Sequence, residues 1–158
     1  MSLVPGNFVI PELLERDGFK LRPLTIHDVD KDYDAVMSSI EYLQGVFGKR
    51  STWPSPNLTK EQDLIDLGWH QKEFQRRTSF AYTVVKQDES ECIGCVYIFP
   101  SEEPAYEAEV YMWVRKSAYD KGLDPVLERA VKDWIKSSWP FKKVDYPGRE
   151  KAPATSTA

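Results

Sequence analysis

The chain has 158 residues, which fits one domain, and its net charge of −4 with a pI near 5.3 argues against a protein that binds nucleic acid or an anionic membrane. Hydrophobic residues make up 41% of the chain, enough for a packed core. No apolar run reaches the length of a membrane span, no signal-peptide pattern opens the chain, and its two cysteines form no disulfide framework, so we expect a cytoplasmic protein.

The first predicted elements are a strand and a helix. Residues 19–25, FKLRPLT, predict a short strand, and we expect residues 1–18 to form an N-terminal extension. Thr25 with Asp28 three residues later predicts a capping box. Apolar residues at helical spacing then predict a helix that runs to residue 47.

A second helix and the rest of the domain follow. Thr59 with Gln62 predicts another capping box at the start of that helix. Three strands, a helix and a last strand are then predicted at residues 79–86, 91–99, 105–115, 124–138 and 141–146. The order β-α-α-β-β-β-α-β predicts a single α/β (α+β) domain over residues 19–146, with a mixed, mostly antiparallel central sheet. The small, polar residues 147–158 predict a disordered tail.

This order resembles the GNAT superfamily of acetyl-coenzyme A-dependent N-acetyltransferases. Three stretches carry the resemblance: LRPLTIHDVD (21–30), ECIGCVYIF (91–99) and AEVYMWVRKSAYDKGLDPVLERAVKDWI (108–135). They are similar to the family's opening strand and first helix, its third strand, and its core motif of strand, pyrophosphate loop and helix. The resemblance spans residues 19–146 and implies the GNAT fold without the usual C-terminal helix and last two strands.

The resemblance implies that acetyl-CoA binds between the last two predicted strands. The residues it assigns to the coenzyme, through backbone groups near the pantetheine arm and through the pyrophosphate loop, are Met112, Trp113, Val114, Tyr119, Lys121, Gly122, Leu123 and Asp124. The family's loop pattern is R/Q-x-x-G-x-G/A. Here Gly122 is retained, whereas Tyr119 and Asp124 depart from the pattern.

Asp124 has an ordinary reason to be at this position. Asp124-Pro125 is a typical helix start, with Asp as N-cap and Pro at the first helical position. An N-cap carboxylate would use the N–H groups that a pyrophosphate needs and would repel it by about 3–4 kcal/mol at ~4–5 Å. Arg115, Lys116 and Lys121 would return part of the attraction. The alternative is that the loop is only a capped helix start.

Glu109 is the candidate catalytic residue. By the resemblance it matches the glutamate that deprotonates the acceptor amine in several GNAT enzymes. Its strand face also carries Tyr111 and Trp113, and a carboxylate between aromatic rings tends to have a raised pKa. The alternative is that Glu109 lies on a solvated face beside Glu107.

Residues 48–57 correspond to a region that lines the acceptor groove in the family. Arg50 and Trp53, with Lys49 beside them, are the candidate substrate-binding residues and would suit an anionic or aromatic acceptor. The alternative is that Trp53-Pro54 packs the loop onto the core.

The cysteines and histidines predict no further site. Cys92 and Cys95 lie within one strand, so we expect their side chains to point to opposite faces as buried structural cysteines, with no metal site. We expect His27 and His70 to be surface or packing residues.

Two functions remain open. The first is an N-acetyltransferase that transfers an acetyl group from acetyl-CoA to a primary amine of a small molecule or a peptide. The alternative is a catalytically inactive GNAT-fold binding or interaction module with weak or no coenzyme binding. In either case the last strand would be exposed at a sheet edge, where a second copy of the chain would cover it in a homodimer.

Overall fold

The computed structural model describes residues 2–149, and the predicted disorder of residues 150–158 lies outside this range. A six-stranded sheet consists of β1 (Leu14–Arg16), β2 (Phe19–Pro23), β3 (Phe80–Val85), β4 (Cys92–Pro100), β5 (Ala108–Val114) and β6 (Val144–Asp145). The strands follow sequence order, and every neighbouring pair is antiparallel except β5 and β6. The predicted α/β domain with a mixed, mostly antiparallel sheet is confirmed. The sequence did not predict β1, which lies in the expected extension.

The helices are α1 (Val29–Met37), α2 (Ile40–Leu43), α3 (Lys60–Gln75), α4 (Lys116–Asp120) and α5 (Leu123–Ser138), with a 3₁₀ turn at Ile26–Asp28. Both predicted capping boxes are present. The single helix predicted up to residue 47 is wrong, because the chain breaks at Ser38 and Ser39. Their hydroxyls bond to groups outside a regular helix: Ser38 accepts from the Arg115 guanidinium and Ser39 from the Lys116 N–H.

The alternation along β5 divides the core into two layers. Ala108, Val110, Met112 and Val114 pack with α5 in a first buried cluster, whereas Trp113 packs with α1 and α3 in a second. Glu109 and Tyr111 share the strand face of Trp113, as expected from the sequence, and therefore lie on the side of the second cluster.

A β-bulge corrects the prediction for the two cysteines. Val85 pairs with Cys92 while Val84 pairs with Gly94, so the intervening Ile93 is an extra residue in β4. Cys92 and Cys95 therefore face the same side of the sheet, and both belong to the second cluster. Gly94 is required here because a Cβ at this position would lie 2.0 Å from the Trp113 carbonyl oxygen.

Among residues 2–149, no helix combines the length and apolar character needed to cross a membrane.

Candidate active site

A cleft opens where β5 and β6 diverge. The two strands pair only at Ala108–Val144 and Glu109–Asp145, and beyond these pairs they separate. A cavity of about 410 Å³ lies there, and we call it the β5–α5 cleft. Its lining includes Tyr42, Tyr111, Met112, Trp113, Asp124, Glu128 and Arg149. Three residues predicted to bind the coenzyme, Met112, Trp113 and Asp124, are therefore brought together.

Arg149 lies across this cleft. Its Nη2 donates to the Met112 carbonyl oxygen at 2.9 Å and to Asp124 Oδ1 at 3.0 Å. Its Nη1 donates to Asp124 Oδ2 at 2.8 Å and to Glu128 Oε1 at 2.7 Å. The guanidinium thus forms a bidentate pair with Asp124. It also donates a hydrogen bond to the Met112 carbonyl, one of the backbone groups predicted to pair with pantetheine.

The predicted N-cap role of Asp124 is wrong. Helix α5 has Gly122 as its N-cap, in the left-handed region with φ of 83°, which glycine adopts without strain. The carboxylate of Asp124 turns instead to Arg149, whose charged, forked donors bind a carboxylate more strongly than single backbone N–H groups do. Asp124 therefore leaves the N–H groups of the first turn of α5 available.

The other predicted coenzyme residues do not line this cleft. Lys121 and Leu123 line a different cavity of about 440 Å³. The Tyr119 ring packs on Tyr42, with centroids 4.7 Å apart, and so contacts the wall of the β5–α5 cleft. Val114 is wholly buried in the first cluster, where it pairs with Gly94 of β4.

Glu109 lines a neighbouring cavity of about 480 Å³, and Tyr111 lines both this cavity and the β5–α5 cleft. Partial burial raises the pKa of Glu109, and the nearby carboxylates of Glu102, Asp145 and Glu103 raise it further. The carboxyl group of Glu109 has a raised pKa and lies in a cavity that shares Tyr111 with the β5–α5 cleft. These properties would suit a general base.

Glu107 has a different environment from Glu109. Its carboxylate accepts hydrogen bonds from the backbone N–H groups of Lys142 and Lys143 and so anchors the segment that leads into β6. The two glutamates are therefore not equivalent members of one solvated face.

A fourth cavity, of about 300 Å³, was not predicted. We call it the acidic cavity, and its lining includes Asp32, Asp63, Asp66, Phe47, Trp53, Trp69, His70, Tyr97 and Phe99. Asp32 and Asp63 are only 4% and 2% exposed. Burial raises the pKa of Asp32 to about 7, and burial followed by repulsion from Asp32 raises that of Asp63 to about 9.

Trp53 and Arg50, the predicted acceptor residues, are separated by the fold. Trp53 lines the acidic cavity and its ring contacts Phe47 and Trp113, at centroid distances of 5.2 and 5.9 Å. Arg50 is exposed and does not line this cavity. Of the histidines, His27 is exposed, and His70 packs in the cavity wall against Tyr97, where burial lowers its pKa to about 4.

Asp32 also lies beside the cysteines, with ligand-type atoms of Asp32, Cys92 and Cys95 within 4.8 Å of one another. Cys95 Sγ donates to Asp32 Oδ1 at 3.4 Å. Burial raises the pKa of Cys95 well above its usual value, so this thiol remains protonated. Asp32, Cys92 and Cys95 are all buried, and the two cysteines belong to the second cluster.

Comparison with known proteins supports the fold. The family model described as an acetyltransferase (GNAT) domain matches residues 19–147. The ribosomal-protein-S5-alanine acetyltransferase from Vibrio fischeri superposes with a TM-score of 0.62 at 18% identity, covering 79% of this chain and 67% of that one. A ribosomal L7/L12 α-N-protein acetyltransferase in complex with coenzyme A gives 0.63 at 18% identity, covering 78% and 67%.

An acetyltransferase from Agrobacterium tumefaciens is similar at 22% identity, with a TM-score of 0.55 and coverage of 82% of this chain and 69% of that one. No curated protein matches the chain in sequence. The family match covers most of the chain, and the chain belongs to the GNAT family of acetyltransferases.

Proposed function

We propose that this protein is an N-acetyltransferase that transfers the acetyl group of acetyl-CoA to a primary amine in the cytoplasm. The observation that carries the proposal is the adjacency of two cavities across one ring: Tyr111 lines both the β5–α5 cleft and the cavity of Glu109. A thioester held in the cleft and an amine held beside Glu109 would meet at this ring.

The coenzyme would bind along β5, with the backbone groups of Met112 to Val114 facing its pantetheine arm. The Met112 carbonyl oxygen now accepts from Arg149, so the guanidinium must leave this carbonyl before the coenzyme pairs with it. The free N–H groups of the first turn of α5 would receive the pyrophosphate. Bound acetyl-CoA supplies the activated acyl group.

Glu109 would act as general base. Its raised pKa keeps the carboxylate basic enough to accept a proton from the acceptor ammonium, and ionisation of Glu109 is required before it does so. We therefore expect kcat/KM to rise with pH on its acidic limb, with an apparent pKa above the usual value for Glu of about 4.3.

The names of two similar structures indicate which acceptor amines to test. Two similar structures are named for acetylation of ribosomal proteins, one at an alanine of S5 and one at an α-amine of L7/L12. We propose peptide α-amines and alkyl primary amines as the acceptors to test first.

A non-catalytic binding module is the second candidate, and one observation favours it. Arg149 bonds to Met112 and Asp124 in the same cleft that the coenzyme needs. If this contact is permanent, the cleft is closed to acetyl-CoA and the fold serves another role, such as homodimerisation through the edge strand β6.

Turnover with Glu109→Gln decides between the two candidates. Release of the coenzyme thiol from acetyl-CoA is followed with alkyl amines and short peptides as acceptors. Glu109→Gln should lower kcat by about 100-fold or more and leave acetyl-CoA affinity unchanged. Glu15→Gln, an exposed change on β1, is the matched control and should retain activity. If the wild-type chain releases no thiol with any acceptor, the proposed acetyltransferase function is wrong.

A further inference from the structure

We infer that the acidic cavity binds an alkylammonium group of the acceptor, at a distance from the amine that is acetylated. This inference rests on the proposed function and names its substrate class: a molecule with two amino groups, one of which stays charged. The source is either a small alkyl diamine or a peptide that carries a lysine side chain.

Two buried carboxyl groups without a cation carry the inference. Asp63 Oδ2 is buried and has no hydrogen-bond partner, although Asp63 lines an open cavity. Within residues 2–149, neither Asp32 nor Asp63 forms an ion pair. The neighbouring Asp28, by contrast, is paired with Arg22 at 2.7 Å. A buried carboxylate is costly unless a proton or a cation compensates it, so a cationic ligand would replace the protons that these two groups hold when the cavity is empty.

The walls of the cavity favour an organic cation over a metal ion. Rings of Phe47, Trp53, Trp69, Tyr97 and Phe99 line it. Aromatic faces attract ammonium groups and their alkyl substituents, whereas Mg²⁺ and Ca²⁺ need several oxygen ligands. Trp69 is 47% exposed and forms part of the rim, while the two carboxyl groups lie at the base.

The cavity also adjoins the predicted catalytic residue. Phe47, Trp69 and Phe99 line both the acidic cavity and the cavity of Glu109. An amine must lose its proton to attack a thioester, so a pocket that stabilises a cation does not suit the reacting amine. It suits a second amino group, joined by an alkyl chain that passes the shared aromatic wall.

The charge of the cavity also changes the acceptor expected from the sequence. The anionic acceptor expected from Lys49 and Arg50 does not fit, because neither residue lines the cavity beside Trp53. Asp66 adds a further carboxyl group to its lining.

Cation binding should tighten as pH rises. The empty cavity holds protons on Asp32 and Asp63, whose pKa values are raised to about 7 and about 9. A bound cation favours their ionised forms and releases protons. The other titratable groups around this pair are Asp28, Asp66, His70, Cys92, Cys95 and Tyr97, whereas Arg22 is paired with Asp28 and Arg115 with Asp34 and Glu91. Among them His70 is neutral throughout pH 6–9 because its pKa is about 4.

Calorimetric titration without acetyl-CoA tests the inference independently of catalysis. The first pair of probes is 1,5-diaminopentane and its neutral analogue, 1,5-pentanediol. The second pair is a tetrapeptide that carries a lysine side chain and its analogue with norleucine in place of lysine. We expect a charged probe to bind at least about tenfold more tightly than its neutral analogue at pH 8.5, and more weakly at pH 6. Binding of the diamine alone identifies a small-molecule source, and binding of the peptide alone identifies a lysine side chain. Equal affinity of charged and neutral probes would overturn the inference.

The variant Asp63→Asn keeps the shape of the side chain and removes its charge. It should weaken the charged probe by about tenfold or more, whereas Glu61→Gln, an exposed change on the same helix, should not. Circular dichroism checks that both variants are folded. A folded Asp63→Asn protein that binds the cation like wild type would also overturn the inference. Acetyl-CoA affinity is measured separately, so loss of coenzyme binding would count against the proposed function and not against the cation pocket.

Discussion

Two groups of acidic side chains in this protein differ in whether a basic side chain pairs with them. At the start of α5, Asp124 and Glu128 are both paired with the Arg149 guanidinium. Between α1 and α3, Asp32 and Asp63 are more deeply buried, yet no basic side chain within residues 2–149 pairs with them. The charges of the first group are compensated by Arg149, and a ligand that binds there must displace this guanidinium. The second group is compensated by protons and not by a basic side chain of residues 2–149, so a cation that enters has to displace protons only.

The unpaired carboxyl groups should make stability depend on pH. The folded pKa of Asp63, about 9, lies above its unfolded value of about 3.9, so the folded state holds a proton that the unfolded state has released. Stability from this group is therefore full below about pH 4 and is lost as pH rises through about 9.

Asp63→Asn removes this dependence, so its stability relative to wild type should increase by up to about 4 kcal/mol between pH 6 and pH 9. Urea unfolding at the two pH values measures the difference. Because both proteins carry the same His70, its own titration cancels in the comparison. A difference that stays constant with pH would show that Asp63 is ionised in the folded protein and that the two acidic groups do not differ as described.

At the paired group the expected change concerns the coenzyme. Asp124→Asn removes a negative charge beside the predicted pyrophosphate position and leaves Arg149 free to contact a phosphate. Affinity for acetyl-CoA should therefore increase by about tenfold, or about 1.4 kcal/mol. This is less than the repulsion expected from the sequence, because Arg149 already neutralises much of the charge.

Calorimetry with acetyl-CoA measures this effect, and Asp133→Asn, an exposed change further along α5, is the control. If Asp124→Asn binds no more tightly than wild type, then Asp124 does not face the coenzyme.

The sequence predicts most of the fold because local patterns determine it. The Thr25–Asp28 and Thr59–Gln62 boxes are complete within four residues, and both form. The alternation along β5 needs only the pleat of a strand, and it correctly separates the two clusters. Where a single extra residue enters a strand, as at Ile93, the pattern fails. Nothing in the spacing of Cys92 and Cys95 indicates a bulge.

The site was less predictable because its contacts join distant residues. Arg149 meets Asp124 across 25 positions, and it lies in a segment whose composition predicts disorder. The local signal Asp-Pro indicated an N-cap, and a long-range guanidinium contact overrode it. The acidic cavity lies between α1 and α3, which are distant in sequence. The local sequence signal for it is that Asp63 lies four residues before the buried Leu67, which puts a carboxyl group on an apolar helix face.

The most direct test of the proposed function is a calorimetric titration of acetyl-CoA into the wild-type chain. We expect saturable binding at one site with a Kd below about 1 mM, because the guanidinium of Arg149 can leave Met112 and the N–H groups of the first turn of α5 carry no side-chain cap. Absence of saturable binding up to about 1 mM would contradict it, and Arg149 would then be a permanent closure of the cleft.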